Sequence, residues 1–286
     1  MASMASPGSP RFRMLDPRLS GRIALVTGAN QGIGAATAIA LAAQGAAVLL
    51  TYLRLDKNQT ASPALPSEYA EYRARSAEWV VRQIREEGGT AHAVEADLAD
   101  QAAPGLLFEA AETEFGPVEI LVNNASGWLA NTFLPSRRDR LERPLRPVDA
   151  ASHDRQFAVD TRAPALLISE FAMRHITRGA VWGRIVGLTS GGPDGFPGEV
   201  SYGAAKAAQE NYTMSAAREL GPYGVTANMV HPPVTDTGWV TPAVEQAAAA
   251  DSPLRQVARP EDVAEVITLL CSHQARHITA QIIHMY

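Results

Sequence analysis

The sequence IALVTGANQGIG, residues 23–34, is the strongest indication of how this chain folds. An apolar run rich in branched side chains ends at Thr27, three glycines follow, and an alanine-rich segment from Ala35 to Gln44 is predicted to be a helix. Strand, tight turn and helix in this order predict a phosphate-binding turn, because glycine lets the backbone turn sharply and approach an anion without a Cβ in the way. The helix then directs unpaired N–H groups and the positive end of its dipole at that anion. Such a turn can also be a simple strand–helix connection, so other parts of the chain must support this interpretation.

The composition excludes several classes of protein. With 46% hydrophobic residues, the 286-residue chain can bury the core of one large domain or two small ones. The formal net charge of -5 argues against general nucleic-acid binding, which needs a basic surface. Cys271 is the only cysteine, so no intrachain disulfide can form and a cytoplasmic location is expected. Residues 1–10 lack the apolar core of a secretory signal, and no apolar run reaches ~18 residues, so no membrane span is expected.

Strands and helices alternate along residues 21–286. The predicted strands are Ile23–Thr27, Ala46–Tyr52, Thr90–Ala96, Val118–Val122, Arg184–Thr189, Val225–Val230 and Gln281–His284. The predicted helices are Ala35–Gln44, Tyr69–Glu87, Pro104–Phe115, Asp154–His175, Ser201–Leu220 and Pro260–Cys271. This alternation predicts one parallel sheet covered by helices on both faces, that is, a single doubly wound α/β (Rossmann) domain. Residues 1–20 are expected to be a flexible N-terminal tail.

Two segments, residues 55–78 and 131–150, interrupt this alternation. The first contains a stretch from Lys57 to Ser67 with two prolines and little hydrophobic pattern, which indicates an insertion or loop. The second carries five arginines, namely Arg137, Arg138, Arg140, Arg143 and Arg146. A solvated loop is the favoured interpretation of this second segment, and a docking surface for an acidic substrate or carrier is the alternative. Residues 238–251, polar and rich in alanine, are a candidate lid.

Tyr202 and Lys206 lie four residues apart in a predicted helix, hence on one helix face. A tyrosine with its usual pKa near ~10 is a poor acid at neutral pH, but a nearby cation stabilises the phenolate and lowers that pKa. Such a pair can donate a proton to a carbonyl oxygen or accept one from an alcohol. Ser190, just past the fifth predicted strand, can hold that oxygen by a hydrogen bond. The spacing alone is weak evidence, since most chance matches are an ordinary helix surface.

The motifs and their order along the chain resemble those of the classical short-chain dehydrogenase/reductase family, and most closely those of its 3-oxoacyl-[acyl-carrier-protein] reductase branch. Residues 27–34 match the family's T-G-x-x-x-G-I-G and residues 123–125 its N-N-A segment. The resemblance covers about residues 20 to 284. It implies that Tyr202 is the general acid/base, that Lys206 lowers the pKa of this tyrosine and binds the nicotinamide ribose, and that Ser190 polarises the substrate carbonyl.

The resemblance also implies a set of cofactor-binding residues. They are Gly28, Asn30, Gln31, Gly32, Ile33, Gly34, Asp97, Leu98, Asn124, Ala125, Ser126, Tyr202, Lys206, Pro232, Thr235 and Thr237. It further implies hydride transfer with a nicotinamide cofactor, a small-molecule or acyl-carrier-linked carbonyl substrate, and a homodimer or homotetramer.

The chain departs from the family pattern at four places. Asp160 stands where the family usually has an asparagine that supports a water relay to the lysine. Ser126 and Pro233 replace glycines, and the sequence stops at Tyr286, before the usual glycine-rich ending. We count Asp160 among the catalytic residues, because a carboxylate near Lys206 favours the charged ammonium and partly cancels its pull on Tyr202. The alternative is that Asp160 only packs beneath the site.

The end of the second strand, Thr51-Tyr52-Leu53-Arg54, indicates the cofactor. Family members that prefer NAD carry an aspartate there, and this chain has none. Because Arg54 can pair with a 2′-phosphate, we predict that NADP is preferred over NAD; the alternative is that Arg54 faces water. No metal site is expected, since His273 and His277 could share a helix face but no third ligand has suitable spacing.

The motifs together predict an NADP-dependent oxidoreductase that reduces a ketone or 3-oxoacyl-type carbonyl to an alcohol, or catalyses the reverse reaction. The alternative is a cofactor-binding protein of the same fold that does no redox chemistry and acts as a regulator or scaffold. Asp160 and Pro233 favour this alternative, and the intact set of Ser190, Tyr202 and Lys206 opposes it.

Overall fold

The computed structural model describes residues 16–56, 66–135, 138–139, 143–192 and 194–286. Most of the predicted tail, the greater part of the stretch that begins at Lys57, and Arg137 and Arg140 lie outside the described residues. Within these ranges, no helix combines the length and the apolar character that a bilayer crossing demands.

Seven parallel strands form the central sheet. They are β1 (Ile23–Thr27), β2 (Ala47–Tyr52), β3 (Thr90–Glu95), β4 (Ile120–Asn123), β5 (Gly183–Leu188), β6 (Val225–His231) and β7 (Ile282–His284). Their spatial order is β3-β2-β1-β4-β5-β6-β7. All seven predicted strands are present, and the fold class is confirmed.

Nine α-helices accompany the sheet within the described residues. They are α1 (Gly32–Ala43), α2 (Ser67–Ala74), α3 (Glu78–Glu86), α4 (Ala103–Glu114), α5 (Ala150–Phe157), α6 (Ala163–Thr177), α7 (Val200–Leu220), α8 (Pro242–Asp251) and α9 (Pro260–Cys271). Helices α1, α3 and α9 contribute to the core on one face of the sheet, and helices α4, α6 and α7 to the core on the other face.

Burial on both faces explains the continuous apolar run of β1. Ala24 and Val26 pack into one hydrophobic core, whereas Leu25 packs into the other, and all three are fully buried. A strand that is half-exposed alternates apolar and polar residues, but a strand covered by helices on both sides does not need to. Each Leu or Val buried in this way stabilises the fold by about 1.5–3 kcal/mol.

The strand order reverses between β1 and β4. The chain leaves β1 through α1 towards β2 and β3, and later returns to place β4 on the other side of β1. The loops after β1 and β4 therefore diverge and leave a crevice at the carboxyl ends of the strands, which is where open α/β sheets bind ligands. This topology brings the glycine turn next to Asn124, as the register of β1 with β4 shows.

Two helix predictions are corrected. The single helix predicted over 69–87 is broken into α2 and α3, because Arg75 is extended and its carbonyl accepts a hydrogen bond from Asn30 Nδ2 at 2.9 Å. The helix predicted from Asp154 begins earlier, at the end of a loop where the Asp149 carboxylate caps it by accepting from the Ser152 N–H at 2.7 Å. A π-helical turn, Ala158–Arg162, then separates α5 from α6.

Candidate active site

A cavity of about 910 Å³ lies at the carboxyl ends of the strands and is lined by most of the predicted site residues. Those lining it are Gly28, Asn30, Gln31, Gly32, Ile33, Asp97, Leu98, Asn124, Ala125, Ser126, Ser190, Tyr202, Pro232, Thr235 and Thr237. The predicted residues Gly34, Arg54, Asp160 and Lys206 do not line it.

The glycine turn forms one end of this cavity. Gly28 and Gly32 have φ angles of +66° and +54°, which side chains other than glycine rarely adopt. At Gly28 an added Cβ would lie 2.8 Å from the Cα of Ala125. The N-cap residue of α1, Gln31, makes no side-chain capping bond, so the first N–H groups of the helix remain available to an anion. The turn therefore fits the phosphates of a dinucleotide cofactor.

Asn124 fastens the glycine turn to the end of β4. Its Nδ2 donates to the carbonyl oxygens of Thr27 at 2.8 Å and Gly28 at 3.1 Å. The hydroxyl of Thr27 in turn accepts hydrogen bonds from the backbone N–H groups of Asn124 and Ala125, at 2.9 and 3.0 Å. The side-chain amide of Asn124 therefore donates its hydrogen bonds to the backbone of the turn and stabilises the shape of the turn.

Gly34 is a packing glycine, and its replacement is the first testable prediction. A Cβ there would lie inside van der Waals contact of the Gly28 carbonyl oxygen and of Asn124 Nδ2. Gly34→Ala is expected to displace the turn, to cost about 1–3 kcal/mol of unfolding free energy as overpacked sites do, and to weaken cofactor binding. Urea denaturation and cofactor titration measure the two effects. Gly105→Ala is the matched control, because its Cβ would be 4.0 Å from the nearest atom; equal stability of the two variants would contradict the prediction.

Ser190 and Tyr202 face the cavity together. Ser190 follows β5, and Tyr202 lies in the first turn of α7, so both come to the same wall. Lys206, one helical turn further on, is 1% exposed and lies with its Nζ 5.6 Å from the centroid of the Tyr202 ring. This Nζ donates to the carbonyl oxygen of Leu188 at 2.9 Å and to Gln209 Oε1 at 3.1 Å, which holds the ammonium behind the tyrosine.

Asp160 lies directly beside Lys206. It is fully buried, and its Oδ1 is 3.2 Å from the Lys206 Nζ. The other carboxylate oxygen accepts hydrogen bonds from the Gly127 N–H at 2.8 Å and from the side chain of Gln156. The π-helical turn brings Asp160 to this place, in keeping with the frequent occurrence of π-bulges at functional sites. The carboxylate is therefore neither remote from the lysine nor turned away from it.

A second buried carboxylate, Glu199, lies next to the tyrosine and was not recognised from the sequence. Its Oε2 accepts from Trp128 Nε1 at 2.7 Å, and its Oε1 accepts from the Arg143 guanidinium at 2.8 Å. Arg143 also pairs with Asp139 at 2.6 Å. Trp128, Arg143 and Glu199 all line the cavity. The solvated-loop interpretation of residues 131–150 is therefore wrong for Arg143, because only 14% of its side chain is exposed and two carboxylates neutralise it.

The side chain of Arg54 lies against the end of the neighbouring strand, β3. Its Nη2 lies 2.7 Å from Glu95 Oε2, and its Nε donates to the same carboxylate. Strand pairing sets this contact, because Tyr52 of β2 is in register with Glu95 of β3.

Comparisons with known proteins agree with this geometry. A family model described as "Enoyl-(Acyl carrier protein) reductase" matches residues 69–285. The "3-oxoacyl-[acyl-carrier-protein] reductase" of Synechocystis sp. is 33% identical over 92% of this chain and 94% of its own length. This chain belongs to the short-chain dehydrogenase/reductase family.

Two further comparisons support the assignment. The "Uncharacterized oxidoreductase YjdA" of Bacillus subtilis is 33% identical to this short-chain dehydrogenase/reductase, over 92% of the chain and 94% of its own length. The solved structure of the "angucycline C-6 ketoreductase LanV with bound NADP" has a TM-score of 0.74 and 30% identity, covering 93% of this chain and 94% of that one. The prediction that the chain is an oxidoreductase of this family is confirmed. The NADP in the LanV structure supports the use of a nicotinamide cofactor.

The pKa of Tyr202 in this short-chain dehydrogenase/reductase differs from the expectation. The sequence predicts that Lys206 lowers it. Instead, burial of the phenol raises the pKa of Tyr202 above its usual range, and the charges of Asp160 and Glu199 raise it further, against smaller lowering effects of the Ser190 and Ser126 hydroxyls. The pKa is raised because a buried phenolate loses its hydration and because Asp160 and Glu199 carry negative charges that repel it.

The position of Asp160 leads to a prediction about pH dependence. Asp160→Asn removes a negative charge that raises the pKa of Tyr202 and leaves the Lys206 charge unopposed, so the pKa should fall. In the reduction direction, where the phenol must be protonated, the alkaline limb of the kcat/KM profile is expected to move to lower pH. Asp154→Asn is the control, since that carboxylate is 80% exposed on the preceding helix. An unmoved limb, or one shifted upward, would contradict the electrostatic role of Asp160.

Proposed function

We propose that this short-chain dehydrogenase/reductase is an NADPH-dependent reductase that converts a ketone to an alcohol, with Tyr202 as the general acid. The observation that carries the proposal is the pairing of Ser190 and Tyr202 on the wall of a cavity whose other end is the glycine turn. The buried phenol of Tyr202, whose pKa is raised, holds the proton that a reduced carbonyl needs. The ketoreductase name of the LanV relative is consistent with the reduction direction.

Each side chain has a separate part in the proposed reaction. The Ser190 hydroxyl and the Tyr202 phenol hydrogen-bond to the substrate carbonyl oxygen and polarise the carbonyl group. A bound nicotinamide cofactor supplies the hydride. Tyr202 gives its proton to the oxygen as the alcohol forms, and the ammonium of Lys206 then stabilises the phenolate. Asp160 holds the Lys206 ammonium in place through the ion pair and acts as a positioning residue.

The lining of the cavity favours an apolar group beside the substrate carbonyl. Trp128, Phe196 and Trp239 contribute aromatic surface to the cavity, and the ring of Phe196 lies beside that of Tyr202. The neutralised Arg143 does not offer a free charge for an acidic substrate. A cyclic ketone or a 3-oxoacyl chain, free or attached to a carrier, meets these requirements.

We further propose that NADP is preferred over NAD, because the end of β2 carries no acid that would repel a 2′-phosphate.

The test uses the purified full chain with NADPH and a panel of cyclic ketones and 3-oxoacyl thioesters, including acyl-carrier-linked ones. We expect oxidation of NADPH that depends on the ketone, followed by the absorbance of the cofactor. Binding of NADPH without ketone-dependent oxidation across the panel would overturn the proposed reduction of these ketones. Titration of the wild type with NADP+ and NAD+ tests the cofactor preference independently, and equal affinities would overturn it.

A further inference from the structure

Two hydrogen bonds and one packing contact connect helix α2 to three walls of the cavity. At the end of β2, the Leu55 N–H donates to the carbonyl oxygen of Arg73 at 3.1 Å. At the glycine turn, Asn30 Nδ2 donates to the residue that follows the helix. At the loop after β6, Tyr72 packs so closely on Gly238 that an added Cβ would lie 2.7 Å from the ring. The helix therefore has a defined position over the crevice.

Tyr69 and Arg73 face the cavity from this helix. They are four residues apart, hence on one face, and both line the cavity together with Leu53 and Leu55. The Arg73 guanidinium lies over the Tyr69 ring, with its Cζ 5.4 Å from the ring centroid. Within the part of the chain that the structure describes, no carboxylate forms an ion pair with Arg73. A positive charge that no described carboxylate neutralises is thus held at the β2 end of the cavity.

Arg54, the other arginine at this end, already has a partner. Its Nε and Nη2 both contact the Glu95 carboxylate, and this pairing holds the pKa of Glu95 below its usual range. The Arg54 backbone N–H donates to the same carboxylate at 3.1 Å. A phosphate could gain the Arg54 guanidinium only by displacing Glu95 or by adding a second anion beside it. Arg73 is therefore the stronger candidate for a new anion.

We propose that helix α2 forms the 2′-phosphate subsite of the cofactor cavity, with Arg73 pairing with the phosphate and Tyr69 holding the guanidinium in place. The ribose of the adenosine half lies at the end of the second strand in this fold class, which is where Arg73 and Leu55 meet. The fork of an arginine matches a phosphate with two parallel hydrogen bonds. The inference rests on the proposed preference for NADP, and it assigns that preference to a residue outside the strand end where it was expected.

The experiment is calorimetric titration of the full chain with NADP+, NAD+, adenosine 2′,5′-bisphosphate and adenosine 5′-monophosphate. Arg73→Ala is expected to weaken NADP+ and the bisphosphate about 10- to 100-fold, the loss given by removing a hydrogen bond between charged groups. The affinities for NAD+ and the monophosphate should stay unchanged. Arg73→Lys should weaken the binding of these two ligands less than Arg73→Ala does, because lysine keeps the positive charge and lacks only the forked geometry of the guanidinium. Arg54→Ala is expected to keep the wild-type ratio of NADP+ to NAD+ affinity.

Arg75→Ala is the matched control for the helix itself. Its side chain lies over the Tyr72 ring, does not line the cavity, and belongs to the same segment. The variant should keep the wild-type affinities for all four ligands. The subsite would be overturned if Arg73→Ala kept the wild-type ratio of NADP+ to NAD+ affinity, or if Arg54→Ala alone lost this ratio. Either result would leave the preference for NADP intact. Equal binding of NADP+ and NAD+ by the wild type would remove the preference and the subsite together.

Discussion

Tyr202→Phe is expected to lower turnover about 10²- to 10⁴-fold, the usual contribution of a positioned general acid. The substitution removes only the phenolic hydroxyl and keeps the ring, whose centroid lies 6.0 Å from that of Phe196. The glycine turn and helix α2 are untouched, so cofactor affinity should stay close to that of the wild type. Initial rates of NADPH oxidation at saturating ketone, together with a cofactor titration, measure both quantities.

The matched control for Tyr202→Phe is Tyr212→Phe. Tyr212 lies on the same helix, α7, but is 48% exposed and does not line the cavity. Its substitution should leave turnover unchanged. If Tyr202→Phe retained comparable turnover, the proton would have to come from another group, and the proposed mechanism would be wrong.

Lys206→Ala is expected to have the largest effect on stability. It leaves the carboxylate of Asp160, which is fully buried, without the cation 3.2 Å away, and it removes hydrogen bonds to Leu188 and Gln209. Breaking a buried ion pair by removing one partner costs about 3–5 kcal/mol. Urea denaturation should show this loss, and turnover should fall as well, because the phenolate of Tyr202 is no longer stabilised.

A second substitution separates the ion pair from the volume of the side chain. In the double variant Lys206→Ala with Asp160→Asn, no uncompensated buried charge remains, so part of the lost stability should return. The amide oxygen of the introduced asparagine side chain can still accept from the Gly127 N–H, as the carboxylate does. If the double variant were no more stable than Lys206→Ala alone, the lost stability would come from the space left by the shortened side chain and not from the uncompensated charge of Asp160.

Local patterns predicted most of the fold. The β1 strand, the glycine turn and the helix α1 are adjacent in the chain, so residue type and spacing alone indicate them. The same holds for Tyr202 and Lys206, because four residues along a helix place both side chains on one face. The break between α2 and α3 has no such local signal. It depends on hydrogen bonds from Asn30 to Arg75 and from Trp79 to Asn30, which exist only once the chain is folded.

Residue pattern and spacing are enough to predict the sheet, the glycine turn, and the order of the motifs that indicate this family. The tertiary structure determines which charges meet. It paired Arg54 with Glu95, left Arg73 in the cavity, and set Asp160 and Glu199 around Tyr202. This difference arises because periodicity and turn chemistry act between neighbours in the chain, whereas Coulomb interactions and desolvation depend on distance and burial in space. The pKa of Tyr202 is therefore a property of the folded protein.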